Sequence, residues 1–460
     1  MLKTLFQLVK YNIFIFFFLF VSCSSTKQHT DSIVQHPLWS YNSTIYEVNL
    51  RQYTEEGTFK SFEEHLPRLK EMGVEILWFM PIHPIGEKNR KGSLGSYYSI
   101  QDYTAVNPEH GTVEDFKSLV DKIHEMDMYV IIDWVANHTA WDNVWVKEHP
   151  EFYTRDSLGN FVPPVADWAD VIDLNFDNKE LWTYMIDAMK FWVEEYDIDG
   201  YRCDVAGMIP IEFWLEARKE LDEIKPVFML AEAWEPELHR AFDMTYSWDI
   251  HHLMSEIAKG KKNGDDLKQR LEKEKEMYPE SAFRMQFTSN HDENTWNGTV
   301  REKFGNGEEA FAALTFIIPG MPLIYSGQEA GLDKRLEFFE KDPIVWKDDN
   351  YKNLYGTLCR LKENNKALWN GEKGGELIFK TAPEKIGDIS IVPPQNILAF
   401  EREAEEDKVF AIFNLSDKTE KVPAAWFELD KEYKDAISDD PIETGEFNLE
   451  PWGYKIYYKN

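Results

Sequence analysis

The chain has 460 residues, 15% of them aromatic, and its 50 Lys and Arg against 82 Asp and Glu give a net charge of −32. That balance argues against nucleic acid or an anionic membrane surface as an electrostatic partner and suits a neutral or cationic ligand. The length exceeds one ordinary domain, and the three cysteines Cys23, Cys203 and Cys359 make no disulfide framework.

Residues 1–22 read as a signal peptide. Lys3 and Lys10 flank the start of an apolar run, Ile13 to Val21, that is too short to span a bilayer but suits a signal core. Ser22-Cys23 then resembles a bacterial lipoprotein cleavage site, with Cys23 as the lipidated mature N-terminus. Residues 23–37 are polar and lack periodicity, so a tether is expected there. The expected location is the cell envelope, with lipid as the anchor.

From Thr44 the sequence alternates short apolar runs with helical patterns. The runs 45–49 and 76–80 predict the first two strands, with a helix over 60–72 between them; a helix over 112–127 leads to the third strand, 129–133. Residues 139–178 break the rhythm, rich in Trp, Pro, Gly and Asp, and read as an excursion without a clear helix. A helix over 179–196 precedes Asp199-Gly200-Tyr201-Arg202-Cys203-Asp204-Val205, and another over 210–224 precedes Phe228-Met229-Leu230-Ala231-Glu232. Strands at 242–246, 284–288 and 322–325 follow, with a solvated helix over 260–277. Eight βα units over about 320 residues predict an α/β fold, a (β/α)8 barrel spanning 38–371, whose sites lie at the carboxyl ends of the strands. From 372 to 460 short alternating runs predict a small antiparallel β domain.

Two buried-looking strands end on carboxylates, Asp204 and Glu232, and a buried charge without a partner is costly. Strand alternation points Arg202 and Asp204 the same way, so the guanidinium is expected to orient Asp204 and keep it ionised. Glu232, flanked by Ala231, Ala233 and Trp234, is expected in an apolar setting that favours a proton donor. Two carboxylates in opposed environments are the equipment of glycoside hydrolysis. Read singly, either motif serves equally as a structural ion pair or a helix start.

Four motifs in order carry a resemblance to the α-amylase family, family 13 of the glycoside hydrolases: Asp133-Trp134-Val135-Ala136-Asn137-His138, Gly200 to Asp204, Leu230 to Trp234, and Asn290-His291-Asp292. The resemblance covers nearly the whole chain from about Trp39 and implies a retaining hydrolase of α-glucosidic bonds in starch-like or maltodextrin-like glucans. It implies Asp204 as nucleophile, Glu232 as acid and base, and Asp292 as the group that holds sugar hydroxyls in the distorted state. Arg202 would orient Asp204, His138 and His291 would donate to the sugar, and Tyr98 would stack on it. No cofactor is implied for the chemistry, although in calcium-binding members the positions of Asn137 and Asp173 help hold the ion. Many members carry Lys-His after the nucleophile where this chain has Gly207-Met208, which leaves the exact linkage and product pattern open. A glucan-transferring or α-1,6-specific member would keep the same carboxylates, and a non-catalytic glucan-binding lipoprotein is the remaining alternative. Oligomeric state is open.

Overall fold

Eight parallel strands close on themselves: β1 (Ile45–Val48), β2 (Ile76–Phe79), β3 (Tyr129–Trp134), β4 (Gly200–Cys203), β5 (Phe228–Ala231), β6 (Met244–Tyr246), β7 (Phe283–Gln286) and β8 (Met321–Tyr325). Each pairs with the next in sequence, and β8 returns to β1 with Ile45 opposite Leu323. The computed structural model describes residues 34–347, 350–386, 389–390, 394–429, 431–443 and 445–459. Cys23 and the signal segment lie outside the described residues.

The strands are buried on both faces, as a parallel sheet requires. Ile45, Trp78, Ile131, Leu230, Met285 and Leu323 fill the barrel, while their neighbours Tyr46, Leu77, Val130 and Met229 pack outward. Gly200, at φ +151°, lets β4 lie against β5, because a Cβ there would meet Phe228 O at 1.9 Å. The helices Val113–Glu125, Lys179–Tyr196 and Ile211–Asp222 lie within a few residues of their predicted bounds. The helix expected over 60–72 forms instead as Phe59–Glu63 and Leu66–Met72. Pro67 has no N–H to continue the ladder, so the chain restarts there.

The excursion after β3 differs from the expectation of no helix. His138–Ala140 pairs antiparallel with Val171–Asp173, and a helix spans Val144–Glu148, capped by Asn143 accepting from Trp145 N at 2.8 Å. Five residues are too few for a periodicity to show. Toward the C-terminus, Glu376–Phe379, Ile397–Ala404, Asp407–Asn414, Tyr454–Lys459 and Lys434–Asp435 form one antiparallel sheet.

The end of the expected tether is packed rather than free. His36 Nδ1 lies 2.7 Å from Asp243 Oδ1, its Nε2 lies 2.9 Å from Ser281 O, and its ring stacks on Phe283 at 4.3 Å. Asp243 and Ser281 precede β6 and β7, so the chain enters at the barrel floor. Buried Asp243 also takes Arg218 Nη1 at 2.7 Å. A polar composition looks like a tether because it does not reveal a partner so distant in sequence. Among the described residues no helix is long and apolar enough to cross a membrane, and Cys203 and Cys359 are buried free thiols.

Candidate active site

Asp204 and Glu232 are each the first residue beyond their strands, and Cys203 registers with Ala231, so the two carboxylates leave the barrel side by side. Backbone bonds fix both exits: Asp204 N donates to Trp134 O at 2.9 Å and Glu232 N to Cys203 O at 3.0 Å. Between them stands Arg202, fully buried. Its Nη1 is 2.8 Å from Asp133 Oδ1 and 3.0 Å from Asp204 Oδ1, and its Nη2 is 2.9 Å from Glu232 Oε1, an ion pair off the hydrogen-bonding direction.

This corrects the expectation that Arg202 keeps the Asp204 carboxyl low while Glu232 sits in an apolar setting of its own. Trp234 is 55% exposed, and one guanidinium is shared by three carboxylates. Burial and the nearby Glu232 push the Asp204 carboxyl well up, with Arg202 opposing. Burial likewise raises Glu232, opposed first by Arg202. The two titrate as a unit, so the site keeps a proton to higher pH than free carboxylates would.

Val205, directly after Asp204, is held at φ +38°, a left-handed conformation costly for a β-branched residue. The strained turn aims its N–H at Glu232 Oε2, 2.8 Å away. Sequence reasoning missed this contact, since nothing in the residue type announces a positive φ.

The remaining predicted residues gather here. Tyr98 OH donates to Asp133 Oδ2 at 3.0 Å and shares a 2.8 Å hydrogen bond with His291 Nε2, and the two rings stack at 5.3 Å. Asp292 Oδ2 is 3.4 Å from His291 Nε2, and its side chain is 35% exposed. Burial pushes the His138 imidazole down to about 3, so it is neutral. Its Nδ1 is 3.3 Å from Asn137 Nδ2, which leaves the proton on Nε2. Tyr98, His138, Asp204, Glu232, His291 and Asp292 all line one cavity of about 460 Å3, walled by Trp168, Trp296 and Phe338.

Two further residues support the set and were not singled out from the sequence: Trp78, whose Nε1 donates to Asp133 Oδ2 at 3.1 Å, and Glu47, whose Oε1 binds His291 Nδ1. A cavity of about 440 Å3 at the barrel floor is a different matter. There Arg284 is tied to Thr245 and Glu274, and Arg402 donates to the carbonyls of Gly375, Ile317 and Trp369.

Asn137 Nδ2 lies 3.3 Å from His138 Nδ1, a contact that leaves the amide oxygen free of it, and Asp173 pairs with His138 across the short hairpin. Among the described residues no group of three or more His, Cys, Asp or Glu could hold a metal ion.

A family model described as the α-amylase catalytic domain matches residues 25–163 and 165–436. The chain belongs to the α-amylase family. A crystal structure of an α-amylase from Lactobacillus plantarum is 31% identical with a TM-score of 0.80, covering 91% of this chain and 99% of that one. A maltogenic α-amylase from Thermotoga neapolitana is 32% identical with a TM-score of 0.78, covering 91% and 96%. Alpha-amylase 3 of Dictyoglomus thermophilum is 26% identical over 443 residues, 82% of this chain and 85% of that protein. As an α-amylase-family member with the expected barrel, this protein is a glycoside hydrolase that cleaves α-glucans.

Proposed function

We propose that Asp204 is the nucleophile and Glu232 the acid and base of a retaining cleavage of α-glucosidic bonds in starch-like or maltodextrin-like glucans. The observation that carries this reading is the pair of carboxylates on one buried guanidinium, opening into an aromatic-walled cavity. Asp204 attacks the anomeric carbon while Glu232 gives its proton to the departing oxygen, leaving a glycosyl ester and an ionised Glu232. Glu232 then takes a proton from water, whose oxygen displaces Asp204. Asp292 and the Nε2–H groups of His138 and His291 hold sugar hydroxyls, and Tyr98 provides the stacking face. Arg202 balances the charge that moves between Asp204 and Glu232.

In the segments that follow the nucleophile and the acid, Met208 is 50% exposed and Trp234 55%. With Gly207-Met208 in place of a basic pair, we assign these exposed apolar side chains to an acceptor sugar, which favours transfer alongside hydrolysis. Chromatography of products from amylose, pullulan, isomaltose and trehalose, each with and without added maltose, tests both. Malto-oligosaccharides released from amylose are expected, lengthened when maltose is present; no product from any α-glucan would refute the reading.

The leader supports anchoring through lipid on Cys23 at the cell envelope. The protein is expected in the membrane fraction, and Cys23→Ala is expected to release it; an unmodified mature N-terminus elsewhere, found by mass spectrometry, would refute the anchor.

A further inference from the structure

Glu47 is the one charged residue in β1. It is fully buried, faces into the barrel, and takes no part in the roles above. Its backbone is pinned to β8, with Ser326 N and Oγ both donating to Glu47 O, at 3.0 and 2.6 Å. Its Oε1 binds His291 Nδ1, while Oε2 is buried with no hydrogen-bond partner. A carboxylate left half-satisfied in a barrel core is a standing cost, and such a group calls for a reason.

Proton counting around His291 supplies one. The Tyr98 hydroxyl has a single hydrogen. Asp133, gripped by Arg202 at 2.8 Å, is a carboxylate with none to give, so it receives the Tyr98 hydrogen at 3.0 Å. The 2.8 Å contact between Tyr98 OH and His291 Nε2 then requires the hydrogen to be on Nε2. Nδ1 faces the Glu47 oxygen, and with Glu47 ionised it carries a hydrogen too. The result is an unbroken chain from β1 to the nucleophile: Glu47, His291, Tyr98, Asp133, Arg202, Asp204.

We propose that Glu47 is a positioning residue of this site: as a buried anion on Nδ1, it holds His291 as a doubly protonated donor directed at the bound sugar. The proposal rests on the reading of His291 as a sugar-contacting residue. The groups facing this pair are Asp133, Arg202, Glu232 and Asp292, with the hydroxyls of Tyr98, Tyr246 and Tyr325; burial raises the Glu47 carboxyl, opposed first by His291. Burial and Arg202 work against a charged imidazole, yet Asp292 and Glu47 outweigh them and hold His291 up at about 9. The imidazolium is a second positive charge among Asp133, Asp204, Glu232 and Asp292, which otherwise share Arg202 alone. It also strengthens the donor that leaves Tyr98 for a sugar hydroxyl, since hydrogen bonds from ionised donors are about twice as strong.

The test is the titration of His291 in the full chain, followed by NMR with labelled histidine, with His291→Gln assigning the signal. In the parent, His291 is expected to stay protonated through pH 8. In Glu47→Gln its midpoint is expected to fall by at least about one pH unit, a tenfold change in the protonation equilibrium. For a one-unit fall, kcat/KM on amylose is expected to drop about twofold at pH 8 and about fivefold at pH 9, and hardly at pH 5.5, where the imidazole is charged in either protein. In the His291→Gln background, Glu47→Gln is expected to leave the pH profile unmoved. A neutral His291 at pH 7 in the parent would overturn the proposal, whether or not the variant folds. So would an unchanged midpoint in Glu47→Gln, or an equal loss with and without His291. A parent inactive on every glucan, with His291 titrating as expected, would instead sink the assigned function and leave this pairing standing.

Discussion

Asp204→Asn should abolish turnover and stabilise the protein, and the sign of the stability change separates a catalytic carboxylate from a structural one. Asp204 has 10% of its side chain accessible, and burial with the neighbouring Glu232 raises its carboxyl well above its usual range. A carboxyl raised on folding binds its proton more tightly in the native state. Stability therefore falls as pH climbs from about 4, the unfolded value, toward the raised native one. Each pH unit over which the native state holds one extra proton is worth about 1.4 kcal/mol. Asparagine removes that slope. The variant loses an ion pair of 3.0 Å, but Arg202 keeps Asp133 at 2.8 Å and Glu232 at 2.9 Å, so the guanidinium is not orphaned. A net gain of about 1–2 kcal/mol at pH 8 is expected, vanishing near pH 4. Were Asp204 only half of a structural pair, breaking it would cost about 3–5 kcal/mol. Thermal unfolding at pH 4.5 and 8, beside turnover on amylose, reads both. A lower Tm than the parent at pH 8 would refute the electrostatic reasoning. Activity above about 1% of the parent, a barrier change under roughly 2.7 kcal/mol, would refute the nucleophile.

Glu232→Gln should lose starch hydrolysis yet still form the glycosyl-enzyme from α-glucosyl fluoride, whose departure needs little protonation. The parent loses activity as rising pH strips the raised Glu232 carboxyl of its proton, so this alkaline limb should be missing when the variant is assayed with the fluoride; equal fold-losses on both substrates would reassign the acid. His36→Ala should lower stability by about 1–3 kcal/mol at neutral pH, since a buried carboxylate loses one hydrogen-bond partner while keeping Arg218. Burial alone would raise the Asp243 carboxyl, but Arg218 and His36 hold it below its usual range. That depressed value contributes stability above about pH 4 that is lost on acidification, so the gap between parent and variant should narrow as the pH falls below 4; an unchanged Tm at pH 7 would contradict the packing of this segment.

The barrel was legible because a parallel sheet buried on both faces leaves near-continuous apolar runs, and each run ended on polar residues that the fold gathers at one end. Arg202 and Asp204 could be placed together from strand alternation alone. What alternation could not show was the third dimension of the same guanidinium, which reaches across to Asp133 on β3 and Glu232 beyond β5. The apolar residues that flank Glu232 in sequence do not show that its carboxylate meets Arg202 and the Val205 N–H. Glu47 was within reach of the argument that flagged Asp204, a charge inside an apolar strand, but it lies within β1 rather than at its end. Val205 and His36 lay beyond any pattern: one depends on a backbone torsion, the other on a partner on the far side of the barrel floor.

The packing of His36 also fixes how the enzyme can be handled. Because the chain joins the fold at the floor, anything attached ahead of residue 34 is attached at the end opposite the carboxylates. A resin, a carrier particle or a fused scaffold domain introduced there would leave the mouth open to a long glucan.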